Sequence, residues 1–195
     1  MRNPAFLMTL ALVPALLPAQ GPPSAISVRQ EVLGVFSGTS DRCLALAKAV
    51  PEDKYSWRPM DGVRSFGEVF AHMAGSTLLF GSYAGMKQPP GPAHDLAVVY
   101  MKRGFEMPEI FAVEAAIKEK AKTLAAMEDS FKLARDWVGS MKDSDLEKPV
   151  EFFGRTITTR SLLIRMGDHL SEHLGQAIAY SRVNHIVPPW SQKSN

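Results

Sequence analysis

Four long segments of this chain carry apolar residues at the three- and four-residue spacing of an amphipathic helix. They cover residues 27–50, 65–86, 109–140 and about 159–184. A helix with one apolar stripe has to bury that stripe against another element, and the chain carries little of the alternating pattern typical of strands. The sequence therefore predicts an all-α fold, a four-helix bundle.

Local signals place the ends of these helices. Pro51 ends the first helix, and Ser65 to Glu68 has the capping-box pattern that begins the second. Pro108 suits the first turn of the third helix, whose Lys and Glu residues are expected to form a solvated face. Thr158 or Thr159 can cap the fourth.

The connections between the helices differ in length and composition. Residues 87–92 contain three prolines and cannot be helical, whereas a short helix is compatible with residues 96–102. This long connector leaves room for a crossover, so a simple up-down-up-down topology is not required. Residues 150–157, with Gly154 in the middle, predict a short β-hairpin or an extended crossing before the last helix.

The first 19 residues are predicted to be a secretory signal peptide. Arg2 precedes an apolar run from Phe6 to Leu17, and the small residue Ala19 fits the last position before a cleavage site. The run contains Pro14 and is shorter than the roughly 20 apolar residues that span a bilayer. A membrane anchor is the alternative. We expect export to the periplasm or beyond the cell, with no stable membrane insertion after cleavage.

The sequence predicts four parts of the chain. These are the signal peptide (1–19), a linker (20–26), the helical domain (27–190) and a short tail (191–195).

The formal net charge is only +2 and no block of Lys or Arg is present, so no nucleic-acid partner is expected. Cys43 is the single cysteine, which excludes an internal disulfide, and its apolar neighbours favour burial.

Three of the five histidines lie in predicted helices with apolar faces. His169 and His173 are four residues apart and therefore lie one turn apart on one helix face, while His72 is at the edge of the apolar face of the second helix. If these faces meet, three imidazoles can bind one metal ion and leave a coordination position open, as in catalytic zinc sites. A chance spacing of two histidines is the alternative. His94 and His185 are expected to be solvated.

Two neighbouring polar residues could orient these imidazoles. Glu68 lies one turn before His72, and Gln176 lies one turn after the His169–His173 pair. A helix cap for Glu68 and a solvated surface position for Gln176 are equally compatible with the sequence. The sequence alone leaves both alternatives open.

The segment from His169 to His173 also matches the H-x-x-E-H pattern of one class of metalloproteases, in which Glu172 would be the general base. That class needs a further acidic metal ligand downstream, and no Asp or Glu follows His173. We therefore expect Glu172 to lie on the surface or beside a ligand. A Ser-His-Asp triad is not supported either, because the chain has no G-x-S-x-G element.

Five motifs, taken in order, resemble those of the DinB-like superfamily of metal-binding four-helix bundles. They are Val50–Pro59 (VPEDKYSWRP), Ser65–Ala74 (SFGEVFAHMA), Asp168–Gln176 (DHLSEHLGQ), Tyr180–Arg182 and Pro188–Pro189. The likeness covers about residues 27–190. It implies an up-down-down-up bundle and a divalent metal, often zinc or nickel. The three histidines that hold the metal would be His72, His169 and His173, and the chain would belong to a family whose members often form homodimers.

The resemblance also limits the expected function. Characterised members include thiol-dependent S-transferases and a mycothiol-dependent isomerase, but such thiols are cytosolic and this chain is expected to be exported. We therefore expect a metal-dependent hydrolase or group transferase that acts on a small-molecule substrate. The alternatives are a non-catalytic module that the metal stabilises, and a partner-binding bundle without metal.

Overall fold

The computed structural model describes residues 26–192, and six α-helices and one β-hairpin account for most of them. The helices are α1 (Val28–Ala49), α2 (Phe66–Tyr83), α3 (His94–Tyr100), α4 (Met107–Ala116), α5 (Lys120–Ser140) and α6 (Thr159–Val183). The strands are β1 (Pro149–Phe152) and β2 (Arg155–Thr158). The predicted signal peptide and most of the predicted linker lie outside the described residues.

The four long helices form the predicted bundle. α2 packs against α5 and α6, and α1 packs against the same two helices, so α1 and α2 lie on opposite sides of the shared core. Helices that follow one another in the chain are therefore not all neighbours, which agrees with the predicted crossover topology. The arrangement confirms the all-α four-helix bundle and brings the apolar faces of α2 and α6 together.

The predicted helix starts are formed by side-chain caps. Ser27 and Ser65 each accept a hydrogen bond from the backbone N–H three residues later. The side chains of Gln30 and Glu68 accept from the backbone N–H of Ser27 and Ser65, which completes two capping boxes. Thr158 caps α6 in the same way through its hydroxyl. These bonds satisfy backbone donors that a helix start otherwise leaves unpaired.

The prediction of one continuous third helix over residues 109–140 is wrong. The chain leaves the helical conformation at Ile117, where φ is −88° and ψ is 85°, and α5 begins at Lys120. No Gly or Pro causes this break. Lys120 Nζ instead donates to the carbonyl oxygens of Lys48 and Val50 at 2.8 and 2.7 Å, which joins the start of α5 to the end of α1. α4 is thereby free to pack on α2 and α3.

The predicted β-hairpin before the last helix is confirmed. β1 and β2 pair antiparallel, with Phe152 opposite Arg155, so Phe153 and Gly154 alone form the turn. Both turn residues have positive φ, 47° and 75°, which is the conformation of a type I′ turn. The hairpin lies against α6 and the C-terminal end of α2.

The core is continuous and includes Cys43, which is fully buried as expected. Burial raises the pKa of the Cys43 thiol to about 12, so the side chain is an apolar, unreactive group. None of the helices formed by residues 26–192 is both long enough and apolar enough to cross a membrane.

Candidate metal centre

The packing of α2 against α6 brings the three predicted histidines together. His72 comes from α2, and His169 and His173 come from successive turns of α6. One ring nitrogen of each imidazole lies within 4.8 Å of the other two, and His72 Nε2 is 3.1 Å from His169 Nε2. Within residues 26–192, no other group of three or more His, Cys, Asp or Glu side chains has this arrangement.

These separations fit a single small cation. Two nitrogens bound tetrahedrally to one metal at about 2.0–2.1 Å lie about 3.3 Å apart, close to the His72–His169 separation. Two imidazole nitrogens this near each other repel if both present lone pairs. Either one nitrogen carries a proton that the other accepts, or a cation lies between them. The donor set of three imidazoles is one that zinc and nickel accept.

His72 is oriented by a buried carboxylate. Its Nδ1 lies 2.7 Å from Glu114 Oε1 and 2.7 Å from the Tyr100 hydroxyl oxygen. The Glu114 side chain is only 1% exposed. A carboxylate can only accept, so Nδ1 carries the proton, and the lone pair of Nε2 is directed toward His169.

Glu114 is held in turn by two further donors. Arg64 donates to both of its oxygens, from Nε at 2.6 Å and from Nη2 at 3.1 Å, and the Tyr100 hydroxyl donates a short hydrogen bond to Oε1. Burial alone would raise the pKa of the Glu114 carboxyl, but the hydrogen bonds from His72 and Arg64 outweigh burial and lower it. Glu114 is therefore an ionised carboxylate whose charge is balanced by Arg64.

Tyr100 reaches His72 because of a glycine one turn along α2. A Cβ atom at Gly75 would overlap the Tyr100 ring, so only glycine lets α3 approach α2 this closely. Burial, followed by the negative charge of Glu114, raises the pKa of the Tyr100 phenol far above its usual value. The phenol therefore stays protonated and donates a hydrogen bond to Glu114.

His173 is oriented by a neutral partner. Its Nδ1 lies 2.8 Å from Gln176 Oε1, and Gln176 Nε2 donates to the Tyr180 hydroxyl at 3.0 Å. The Tyr180 hydroxyl donates to the carbonyl oxygen of Arg64 at 3.2 Å. Because Gln176 uses its N–H to reach Tyr180, its oxygen faces His173 and accepts from Nδ1–H. This leaves His173 Nε2 without a proton.

The environment keeps the α6 imidazoles neutral. Burial, followed by repulsion from the neighbouring His173 and His72 imidazoles, lowers the pKa of His169 to about 3. Burial also lowers the pKa of His173, against the opposing hydrogen bond to Gln176. Neutral imidazole is the form that a metal ion requires, so neither ligand has to lose a proton near neutral pH.

A cavity of about 540 Å³ opens beside the three histidines. Arg64, Ser76 and Glu172 are polar residues on its wall, and the remainder of the wall away from the imidazoles is apolar or aromatic. Glu172 is exposed and forms no salt bridge among residues 26–192. Its carboxylate lies at the cavity rather than among the histidines, so it is not placed as a fourth member of the cluster.

The two residues proposed to orient imidazoles behave differently. Gln176 contacts His173 as described above, whereas Glu68 accepts from the Ser65 backbone N–H at 2.7 Å and from Arg58 at 3.0 Å. Glu68 is therefore a helix cap, the alternative that the sequence had left open. His94 and His185 are both exposed and lie outside the cluster.

None of the three residues behind His72 was predicted from the sequence. Glu114 was included in the solvated face of one long helix, and this is wrong because α4 ends before α5 and turns Glu114 inward. One signal was available: Glu114 lies four residues after the buried Ile110, on the same helix face. Tyr100 lies in a segment without a clear hydrophobic pattern. For Arg64, the only sequence signal is its position next to the Ser65 cap.

Comparisons with known proteins agree with this fold. The family model of the DinB superfamily matches residues 36–177. No curated protein is similar enough to match the chain. Among solved structures, a DinB-like protein from Bacillus cereus ATCC 10987 superposes with a TM-score of 0.64 at 15% identity, over 81% of this chain and 93% of that one.

A second solved structure, a DinB-like protein from Bacillus subtilis, has a TM-score of 0.54 at 18% identity. The match covers 84% of this chain and 99% of that one. Likeness at such low identity concerns the fold, whereas the family model matches the sequence itself over most of the described residues. The chain therefore belongs to the DinB superfamily.

Proposed function

We propose that this protein binds one divalent metal ion, zinc or nickel, through His72, His169 and His173, and that it acts on a small molecule bound beside the metal. The observation that carries the proposal is the convergence of one ring nitrogen from each imidazole within 4.8 Å. Glu114 and Gln176 bind the opposite nitrogens of His72 and His173, so the converging ones are free of protons.

The cavity favours a catalytic role over a purely structural one. Structural zinc sites are closed by four protein ligands, whereas catalytic sites keep a position for water or substrate. Here three histidines line one wall of a cavity of about 540 Å³. A divalent ion bound there would lower the pKa of a coordinated water and polarise a substrate oxygen or thiol. We infer hydrolysis or group transfer as the reaction class.

The residues of the chain would have distinct tasks in such a reaction. Glu114 holds the Nδ1 proton of His72 and so keeps Nε2 directed at the ion. Arg64 neutralises Glu114, which keeps the surroundings of the ion from becoming strongly negative. Glu172 is a carboxylate at the cavity that can accept a proton from a bound substrate or water.

Metal content of the purified protein tests the first half of the proposal. Elemental analysis after dialysis should find about one equivalent of zinc or nickel per chain, and His72→Ala should lose it. His185→Asn is the matched control, because His185 is exposed and its φ of 58° suits asparagine. Absence of bound metal in protein refolded with zinc and with nickel would contradict the proposal.

A non-catalytic role is the second candidate, because the site joins α2 to α6 and a bound ion would stabilise that contact. A screen of esters, amides and thiol-transfer substrates distinguishes the two. Turnover that His72→Ala and chelation both abolish supports the enzyme. If metal raises the melting temperature and the screen finds no turnover, the structural module is favoured.

We also propose that the protein is exported, as its first 19 residues suggest. Expression of the full chain in a bacterial host, followed by fractionation and N-terminal sequencing, tests this directly. A chain that begins at Gln20 in the periplasmic or secreted fraction supports export. A chain that keeps residues 1–19 in the cytosolic fraction contradicts it.

A further inference from the structure

The wall of the cavity beside the histidines is built from apolar side chains of three separate segments. α2 contributes Leu79 and Phe80, the α3–α4 connection and α4 contribute Phe105 and Ile110, and the hairpin turn contributes Phe153. The three clustered imidazoles form a polar end of this cavity. A cavity with a polar end and apolar walls suits a ligand with the same division.

A series of aromatic contacts runs from His169 to Phe153 and Phe105, which line the cavity. Phe80 lies 5.5 Å from the His169 ring and 5.4 Å from Phe152, centroid to centroid. Phe152 lies 4.6 Å from Phe153, and Phe153 meets Phe105 edge-to-face at 6.2 Å. Phe105 and Phe153 come from different segments, and both line the cavity.

Phe153 occupies a backbone conformation that disfavours it. It is the first residue of a type I′ turn with φ of 47°, a position at which asparagine, aspartate or glycine is preferred. Its side chain is 60% exposed, so burial returns little free energy to the hairpin. Strained residues of this kind concentrate at ligand sites. The stability of the hairpin alone does not account for an aromatic residue at this position.

Charge restricts the ligand further. The positive charge of Arg64 is paired with Glu114, while the Glu172 carboxylate at the cavity has no ion-pair partner among residues 26–192. A negative charge on the body of a ligand would be repelled by the Glu172 carboxylate. A charge of either sign on the part of the ligand that lies against the apolar wall would lose water without gaining a partner there, so that part should be uncharged.

We propose that the cavity selects small molecules with a metal-binding polar head and an uncharged, ring-sized apolar body, and that Phe153 is a specificity-determining residue for that body. This inference rests on the proposed metal site. It adds the class of ligand and assigns a role to a hairpin turn that the metal site itself does not require.

Two hydroxamates test the inference with the zinc-loaded protein. Acetohydroxamate and phenylacetohydroxamate share the zinc-binding head and differ in the ring, so calorimetry on both isolates the contribution of the body. We expect phenylacetohydroxamate to bind about 10- to 100-fold more tightly, the gain from burying a ring of this size. Phe153→Asn should reduce that preference at least about fivefold and leave acetohydroxamate binding unchanged.

The variant is chosen so that folding does not obscure the result. Asparagine suits the first position of a type I′ turn, so Phe153→Asn should keep or raise the melting temperature. Trp190→Asn is the control, because Trp190 is a partly exposed aromatic residue that does not line the cavity. It should leave the preference between the two hydroxamates unchanged.

The outcomes separate this inference from the proposal on which it rests. If the protein binds neither zinc nor nickel, both fall. If zinc binds and the two hydroxamates bind equally well, the apolar-body inference is wrong and the metal site stands. If the ring is preferred and Phe153→Asn leaves the preference intact, Phe153 is not a specificity residue.

Discussion

The surroundings of His72 and of His173 differ although both imidazoles belong to one cluster. Behind His72 lie an ionised carboxylate, a guanidinium and a phenol, all of them largely buried, whereas His173 contacts a neutral amide. A carboxylate partner makes an imidazole a stronger electron donor than an amide does. His72 should therefore contribute more to metal affinity than His173, and its surroundings should contribute more to the stability of the fold.

Removing the buried carboxylate is the most severe way to test this difference. Glu114→Ala leaves the Arg64 guanidinium, the Tyr100 hydroxyl and His72 Nδ1–H without their shared acceptor. We expect the free energy of unfolding to fall by about 3–5 kcal/mol, as for other broken buried ion pairs. Urea denaturation measures it. Glu109→Ala, which removes an exposed carboxylate of the same helix, should change it by less than about 1 kcal/mol.

The close approach of Tyr100 to α2 can be disturbed from the other side. Gly75→Ala places a methyl group where the Tyr100 ring lies, and we expect a loss of about 1–3 kcal/mol from overpacking. Gly139→Ala, in a helix with open space around the glycine, should instead stabilise by about 0.5–1 kcal/mol. Thermal denaturation of both variants gives the sign. Equal behaviour of the two would show that Tyr100 can move away without loss.

The charge of Glu114 can be removed while its shape is kept. Glu114→Gln still accepts a hydrogen bond from His72, but it is no longer an anion, and we expect zinc affinity to fall by about 10- to 100-fold. Competition with a chromophoric chelator measures the affinity. An unchanged affinity would show that only the geometry of the hydrogen bond matters.

The same measurement on the other imidazole sharpens the contrast. Gln176→Leu removes a neutral acceptor from His173 and should weaken zinc binding by no more than about 10-fold, the low end of the effect of such partners. Nitrogen chemical shifts of the histidine rings should show His72 protonated at Nδ1 in both variants. A larger loss for Gln176→Leu than for Glu114→Gln would reverse the ranking of the two sides.

The smallest effect near neutral pH concerns His169 in metal-free protein. Its pKa of about 3 lies below the value of about 6.5 in an unfolded chain, so the unfolded state binds more protons below pH 6.5. Stability should be greatest above pH 6.5 and decline as the pH falls from there toward 3. Urea denaturation at pH 7.5 and 5.5 should show a smaller decline for His169→Asn, whereas the exposed-site variant His185→Asn should match the unaltered protein.

Local chemistry made much of the bundle predictable. Side-chain caps at Ser27, Ser65 and Thr158 begin α1, α2 and α6, and each of these three helices starts within a residue of its predicted place. The two-residue turn at Phe153 and Gly154 agrees with the hairpin expected there. Capping and turn formation depend on residues within four positions of one another, so they can be read from a short stretch of chain.

The break between α4 and α5 could not be predicted in this way. No helix-breaking residue occurs there, and the bonds that hold the break join Lys120 to the distant carbonyls of Lys48 and Val50. The inward position of Glu114 depends on that break, and the contact of Tyr100 with α2 depends on the space left by Gly75. Helix propensity favours one continuous helix by only small increments per residue, and tertiary contacts outweigh it.

By itself the sequence determined where α1, α2 and α6 form, that His169 and His173 share one face, and that His72 lies near an apolar face, because these follow from helical periodicity and local hydrogen bonding. Only the tertiary structure decided that three imidazoles converge, that Glu114 and Tyr100 stand behind His72, and that Phe153 faces a cavity beside them. The physical reason is that these contacts join segments far apart in the chain, and their geometry depends on how the helices pack.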